Sequence, residues 1–126
     1  MTPEPILGNA EPLTPGRYDD RNLGFTYIGI WNVEENSYAY QETVVVSEAV
    51  GDYVAFRFTG LQLMLGYQSS DDAGEFTVSI DGEEETMNQQ VGSIWFSAYL
   101  DSGTHYAIIT HTGAGPVNLD YIEVAQ

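Results

Sequence analysis

The sequence predicts an all-β chain folded as an antiparallel β-sandwich or barrel, and three observations carry that expectation. Apolar residues recur with a period of two through most of the chain. Turn signals bearing Gly, Asn or Asp separate the alternating runs at short intervals. No stretch carries the i, i+3, i+4, i+7 apolar stripe of an amphipathic helix.

Taken in order, Met1–Pro15 comes first. It holds four of the five prolines and reads as a linker or extended arm, because proline removes amide donors and stiffens the backbone. Its Ile6, Leu7 and Leu13 are available to dock on the domain or on a neighbouring subunit. The domain proper is expected over residues 16–126. Phe25–Trp31 and Thr43–Ser47 supply two early strands. Val54, Phe56 and Phe58 then alternate with Tyr53, Ala55, Arg57 and Thr59. Leu61, Leu63, Leu65 and Tyr67 alternate with Gln62, Met64 and Gly66. Phe76, Val78 and Ile80 run into Asp81-Gly82, a strong tight-turn signal. Ile94, Phe96, Ala98 and Leu100 alternate with Trp95, Ser97 and Tyr99, which sets Trp95 and Tyr99 on the outward face. Tyr106–Thr110 and Val117–Val124 complete about eight strands, the spacing of a sandwich.

A chain of 126 residues is the size of one domain. It carries 19 acidic residues against three arginines and no lysine, a net charge of −16. That balance argues against nucleic-acid and anionic-membrane partners, which need basic side chains to displace counterions. Hydrophobic content of 43% excludes a disordered acidic tail. The lack of cysteine rules out disulfides and thiolate zinc sites and fits either redox compartment. No apolar run reaches the roughly 18–20 residues of a membrane span. Met1–Gly8 has neither a basic region nor an apolar stretch, so no signal peptide is expected here. Export would then mean that a signal was removed, or that the domain was cut from a longer chain.

The motifs of common enzymes are missing: no Cys nucleophile, no G-x-S-x-G and no phosphate loop. His105 and His111 fall six residues apart on one expected strand, roughly 20 Å at about 3.3 Å per residue, too far to share a metal. The acidic runs Asp71-Asp72 and Glu83-Glu84-Glu85 adjoin turn signals and read as solvated loops. A non-enzyme is the expectation.

Asp120, in PVNLDYIEV, shares a two-residue period with Ile122 and Val124 and so stands at the edge of the core. There it must be paired, hydrogen-bonded or metal-bound. Asp19 and Asp20 lie between Arg17 and Arg21. One reading is a Ca²⁺ ion tying the first strand to the last through Asp19 or Asp20 and Asp120, since hard oxygen donors suit calcium. The other has Asp120 accepting hydrogen bonds from backbone, Tyr or Arg without a metal. The loop Asp71–Glu75 is a weaker calcium candidate. Carbohydrate binding needs aromatic faces and planar polar groups, and the chain has two Trp and nine Tyr. Trp95 and Tyr99, with Tyr53 and Arg57, are the candidate sugar platform, unless loops fold over these aromatics. Trp31 is expected in the core.

The order YDDRN, FTYIGIWN, GDYVAFRFTGLQLMLGY, GEFTVSIDG, LDSGTHYAII and PVNLDYIEV resembles the galactose-binding-like jelly-roll superfamily, over everything after the proline-rich arm. That superfamily includes many carbohydrate-binding modules and accessory domains of surface proteins. The resemblance implies an antiparallel jelly roll, a structural Ca²⁺ near the chain ends in which Asp120 matches the acid of the last strand, and sugar binding or adhesion outside the cell. The front departs from the sugar-binding members, which commonly begin with a Glu-containing strand where this chain has Tyr18-Asp19-Asp20. The functional expectation is a non-catalytic glycan-binding or adhesive module at the cell surface or beyond it. The alternative is a self-assembling subunit of a surface filament or virus-like appendage. Residues 1–15 would then add a strand to a neighbouring copy, against the repulsion of −16 charges.

Overall fold

The computed structural model of the protein describes residues 12–19, 25–113 and 115–126. Twelve short strands occur among them: β1 Gly16–Asp19, β2 Thr26–Ile28, β3 Trp31–Glu35, β4 Thr43–Ser47, β5 Tyr53–Thr59, β6 Gln62–Gly66, β7 Glu75–Ile80, β8 Glu83–Asn88, β9 Ile94–Phe96, β10 Thr104–His111, β11 Val117–Leu119 and β12 Tyr121–Ala125. The count exceeds the expected eight because runs joined by alternation are cut. Gly29, at φ 97°, divides Phe25–Trp31; a Cβ there would lie 1.9 Å from Asp52 Oδ1, so only glycine lets the turn pass so close. Asp120 divides Val117–Val124, and the two halves join different sheets.

The strands form a five-stranded sheet β2-β5-β10-β7-β8, a four-stranded sheet β1-β12-β6-β9 and a three-stranded sheet β11-β4-β3. Every strand ladder is antiparallel. Asp81 and Gly82 both have positive φ (53° and 92°), the backbone of the tight hairpin expected between β7 and β8. Val54, Phe56 and Phe58 of β5, Phe76 and Val78 of β7 and Ile109 of β10 share one core with Leu63 and Leu65 of β6 and Ile122 and Val124 of β12. Two sheets thus seal each other with their inward rows, as the period of two requires. Leu13 docks on its own domain: it is buried, its N–H donates to Arg57 O at 2.9 Å, and its carbonyl accepts from Thr59 N at 2.8 Å. Ile6, Leu7 and residues 1–11 of the arm lie outside the described residues.

The face assignment of β9 is the clear correction. Trp95 pairs with inward Leu65 and is buried, at 4% exposure, whereas Ile94 and Phe96 are 40% and 56% exposed. A three-residue edge strand carries apolar side chains in both phases, so alternation gives no majority. The partner strand β6 sets the face, and the largest ring goes inside. Trp31 is half-buried at the core's rim, tilted against Tyr27 at 5.4 Å, with Nε1 donating to Ile28 O at 3.1 Å.

The two histidines sit at opposite ends of β10, each in a loop-pinning role. His111 Nε2 faces the carbonyls of Gly113 and Gly115 at 2.8 and 2.7 Å, which makes it the donor nitrogen. Its Nδ1 meets Ser47 Oγ at 2.9 Å, and that hydroxyl meets Asp52 Oδ2 at 2.8 Å. Three buried groups therefore staple the end of β4, the turn before β5 and the loop after β10. The order is not that of a nucleophilic triad, because the serine lies between His and Asp and has no exposed surface.

At the other end, His105 Nδ1 meets Asp81 Oδ2 and Nε2 meets the Asp101 carbonyl at 2.7 Å. Burial pushes the imidazole pKa down, but the hydrogen bonds to Asp81 and Asp101 outweigh it and raise it above the usual 6.5. A raised pKa contributes stability that is complete below the unfolded-state value and lost as pH climbs through the folded one. Unfolding free energy is therefore expected to fall as pH rises above about 6.5. Asp81→Asn should flatten that slope in denaturant titrations at a series of pH values.

Candidate functional site

Asp120 sits where the chain leaves β11 and crosses to β12, at 3% exposure. The Tyr40 N–H donates to its Oδ1 at 2.9 Å and its Oδ2 at 3.1 Å, and Gln68 Nε2 donates to Oδ2 at 3.1 Å. Gln68 is itself clamped: its N–H donates to Asn118 Oδ1 at 2.8 Å, and Asn118 Nδ2 donates to its carbonyl at 2.7 Å. Gln89 completes the network, accepting from Asn118 N at 2.8 Å and donating to Asn118 O at 2.7 Å. A connected polar network thus holds the β3–β4 and β6–β7 loops at one end of the sandwich. Burial raises the Asp120 pKa. The Tyr40 and Gln68 hydrogen bonds oppose that rise, the like charge of Asp19 adds to it, and Arg17 opposes it; the net shift is upward.

Beside this network opens a cleft of about 430 Å³ whose lining includes Arg17, Tyr38, Tyr40, Gln68, Asp120 and Tyr121. Its floor follows from a glycine. A Cβ on Gly66 would lie 2.0 Å from Tyr121 Cε1, so the Tyr121 ring lies against the β6 backbone, in the space a side chain would fill. The Arg17 guanidinium stands 4.2 Å from the Tyr121 ring centroid and 5.4 Å from that of Tyr40, while Nε donates to Glu123 Oε1 at 2.7 Å. Tyr40 meets Tyr121 edge-on at 5.8 Å. Tyr38, at 90% exposure, stands at the rim. Burial raises the phenol pKa of Tyr121 and of Tyr67, so both stay protonated at neutral pH. The arrangement offers aromatic faces to C–H surfaces, and guanidinium and amide groups to hydroxyls.

The site overlaps only partly with the residues singled out in the sequence. Asp120 lines it, and Asp19 is close enough to act on Asp120 by charge; Asp20 lies outside the described residues. None of Trp95, Tyr99, Tyr53 and Arg57 lines the cleft. Trp95 is in the core, Tyr99 is exposed in the loop after β9, and Tyr53 and Arg57 belong to β5 of the five-stranded sheet. Tyr53 there packs with Ala55, Ile108 and Tyr106. Tyr38, Tyr40, Gln68 and Tyr121 were missed. Their signal was faint: two tyrosines in the unpatterned stretch NSYAY, and one in the outward phase of the last strand.

Among the described residues no group of three or more His, Asp or Glu side chains is placed to hold a metal. Asp120 turns its oxygens to the Tyr40 and Gln68 N–H donors, and Asp20, the third residue of the calcium expectation, lies outside the described residues. In the other candidate loop, Asp72 Oδ1 accepts from Ser70 Oγ at 2.6 Å.

No protein-family model and no curated protein matches the sequence. Solved structures do. A family two carbohydrate esterase from Cellvibrio japonicus is 16% identical with a TM-score of 0.73, over 86% of this chain and 32% of its own, so the chain spans about a third of that protein. A family 35 carbohydrate binding module from an environmental isolate is 14% identical with a TM-score of 0.69, over 88% of this chain and 93% of its own. The family 35 module from Paenibacillus barcinonensis gives 15% and 0.68, over 88% and 98%. At such identities what is shared is the fold, and the chain therefore has the antiparallel β-sandwich architecture of these carbohydrate binding modules.

Proposed function

We propose that this chain is a non-catalytic carbohydrate-binding module that holds a glycan in the cleft between Tyr38 and Arg17, as part of an extracellular or cell-surface protein. The observation that carries the reading is the cleft itself, with an exposed tyrosine at its rim and a tyrosine–arginine floor over Gly66. The likeness of the fold to solved carbohydrate binding modules supports it. In this reading Tyr38 stacks on the apolar face of a sugar ring, and the Arg17 N–H groups not spent on Glu123 donate to its hydroxyls. Asp120 acts as a positioning residue, buried and holding the Tyr40 backbone and the Gln68 amide in place.

Tyr38→Ala is expected to leave stability unchanged, because the side chain is 90% exposed, and to weaken glycan binding by roughly tenfold, the worth of one stacked ring. A glycan array followed by calorimetry on the best ligand measures both. A silent array, or a variant that binds as well as the parent, would remove the reading. The calcium reading of Asp19, Asp20 and Asp120 has its own test, calorimetric titration with Ca²⁺ after chelation. Heat and a raised melting temperature that Asp120→Asn abolishes would establish it, and silence would end it.

A further inference from the structure

The ladders fix the outer face of the four-stranded sheet. Tyr18, Ile122, Leu65 and Trp95 form one cross-strand row, and it packs into the core. Side chains alternate along each strand, so the rows on either side of it face outward. One is Asp19–Tyr121–Gly66–Ile94 and the other is Arg17–Glu123–Met64–Phe96. Arg17, Tyr121 and Ile94 of these rows also line the cleft, which therefore shares its floor with this face. Gly66 has no side chain and the Tyr121 ring fills the space over it, so no side chain of that row stands between the ring and Ile94.

The edge strands of the two sheets differ on their outer sides. β8 presents Glu84 and Thr86 there, paired with Ser79 and Thr77, and the two threonine hydroxyls meet at 2.8 Å. Outward positions of a sandwich edge are ordinarily polar or charged in this way, which also guards the edge against pairing. β9 presents Ile94 and Phe96 instead, both exposed. A single exposed apolar residue would carry no meaning. Phe96 is not single: it adjoins Ile94 along the strand and half-buried Met64 across the ladder, and through Ile94 it meets the cleft.

Charge narrows the occupant. From Thr86 to Leu100 the chain carries no charged residue, although its net charge is −16. The one carboxylate in the row of Phe96 is Glu123, and it already accepts from Arg17. A basic protein, the partner such a charge attracts, finds no free anion in that row. An uncharged glycan suits it, because the C–H faces of sugar rings pack on aromatic and aliphatic side chains. From Tyr121 to Phe96 is two strands across and two residues along, roughly 12 Å at about 4.8 Å and 3.4 Å per step. A single pyranose ring is too short to bridge that.

We infer that the glycan site continues from the cleft over the outer face of the sheet to Phe96, so that the ligand is a linear, uncharged oligosaccharide or polysaccharide. Phe96 is the stacking platform for the rings beyond the cleft. The inference rests on the cleft being the glycan site.

The test is heteronuclear NMR with calorimetry on the isotope-labelled whole chain. The probes are glucose, mannose, xylose and galactose, and the linear neutral hexasaccharide of each. With the sugar that binds, the Tyr40 and Gln68 amides are expected to respond to monomer and hexamer alike, and the Phe96 amide to the hexamer alone. The hexamer should bind roughly tenfold tighter, the gain of one further stacked ring. Phe96→Ala should cancel that gain, and Phe96→Tyr, which keeps a ring, should restore it. Affinity independent of length, or a Phe96 amide unmoved by the hexamer, would overturn the inference and leave the cleft standing. So would a parent dimer that Phe96→Ala dissolves in size-exclusion chromatography, since the face would then be a contact between copies. If no sugar moves Tyr40 and Gln68, the cleft reading falls and takes this inference with it.

Discussion

Trp95→Ala is expected to cost about 3–5 kcal/mol, the range for removing a large buried aromatic side chain from a packed core. The ring is 4% exposed, pairs with buried Leu65, and belongs to the same cluster as Phe76, Val78 and Ile80. A domain of this size should then lose roughly 10–20 °C in melting temperature. Phe96→Ala supplies the contrast one position away. That ring is 56% exposed on the other face of the same strand, so its loss should stay within about 0.5 kcal/mol. Denaturant unfolding of the two variants decides the face of β9 directly. Equal costs, or a larger cost at Phe96, would show that the short strand sits in the opposite phase.

Gly66→Ala is the second large effect, and it reaches stability and binding together. The new Cβ would stand 2.0 Å from Tyr121 Cε1 and 2.4 Å from Cδ1 and Cζ, well inside contact distance. The Tyr121 ring has little freedom to retreat. It is 9% exposed and held by Arg17 on its face and Tyr40 at its edge. Overpacking of this kind costs about 1–3 kcal/mol, and the displaced ring takes the cleft floor with it. Gly82→Ala is the control: it sits in the β7–β8 turn at φ 92° with nothing within 4 Å of the added carbon. It should lose about 1 kcal/mol through backbone strain alone and keep its binding. Calorimetry with the glycan found for the parent separates the two. Full affinity in Gly66→Ala would mean that the Tyr121 floor takes no part.

The fold was legible because long strands average out local ambiguity. Seven residues from Tyr53 to Thr59 place the three bulkiest aliphatic and phenyl side chains, Val54, Phe56 and Phe58, on one side, and the structure buries all three completely. Where strands shrink to three residues the averaging fails. Ile94–Phe96 offers apolar side chains in both phases, and its orientation came from β6. The candidate site was less legible for a related reason. Tyr38, Tyr40 and Gln68 lie in loops, where no period marks a side chain as inward or outward. Their convergence on Asp120 spans 80 residues for Tyr40 and 52 for Gln68. Asp120 itself was legible as a carboxylate at the core's edge, because an acid in phase with Ile122 and Val124 has to be satisfied there. Its partners were not legible, since they come from elements far away in the chain.

By itself the sequence determined that this chain is acidic and all-β, with one apolar row per strand facing a shared interior. Those properties are local sums over charge and alternation, and they survive without knowing which strand lies beside which. Tertiary structure alone decided that Asp120 marks a crossing between sheets, that Tyr121 rests against Gly66 under Arg17, and that Trp95 of β9 turns inward beside Leu65 of β6. Each of these is a meeting of residues from different strands, set by ladder register and sheet order, and chain-local patterns carry no record of register.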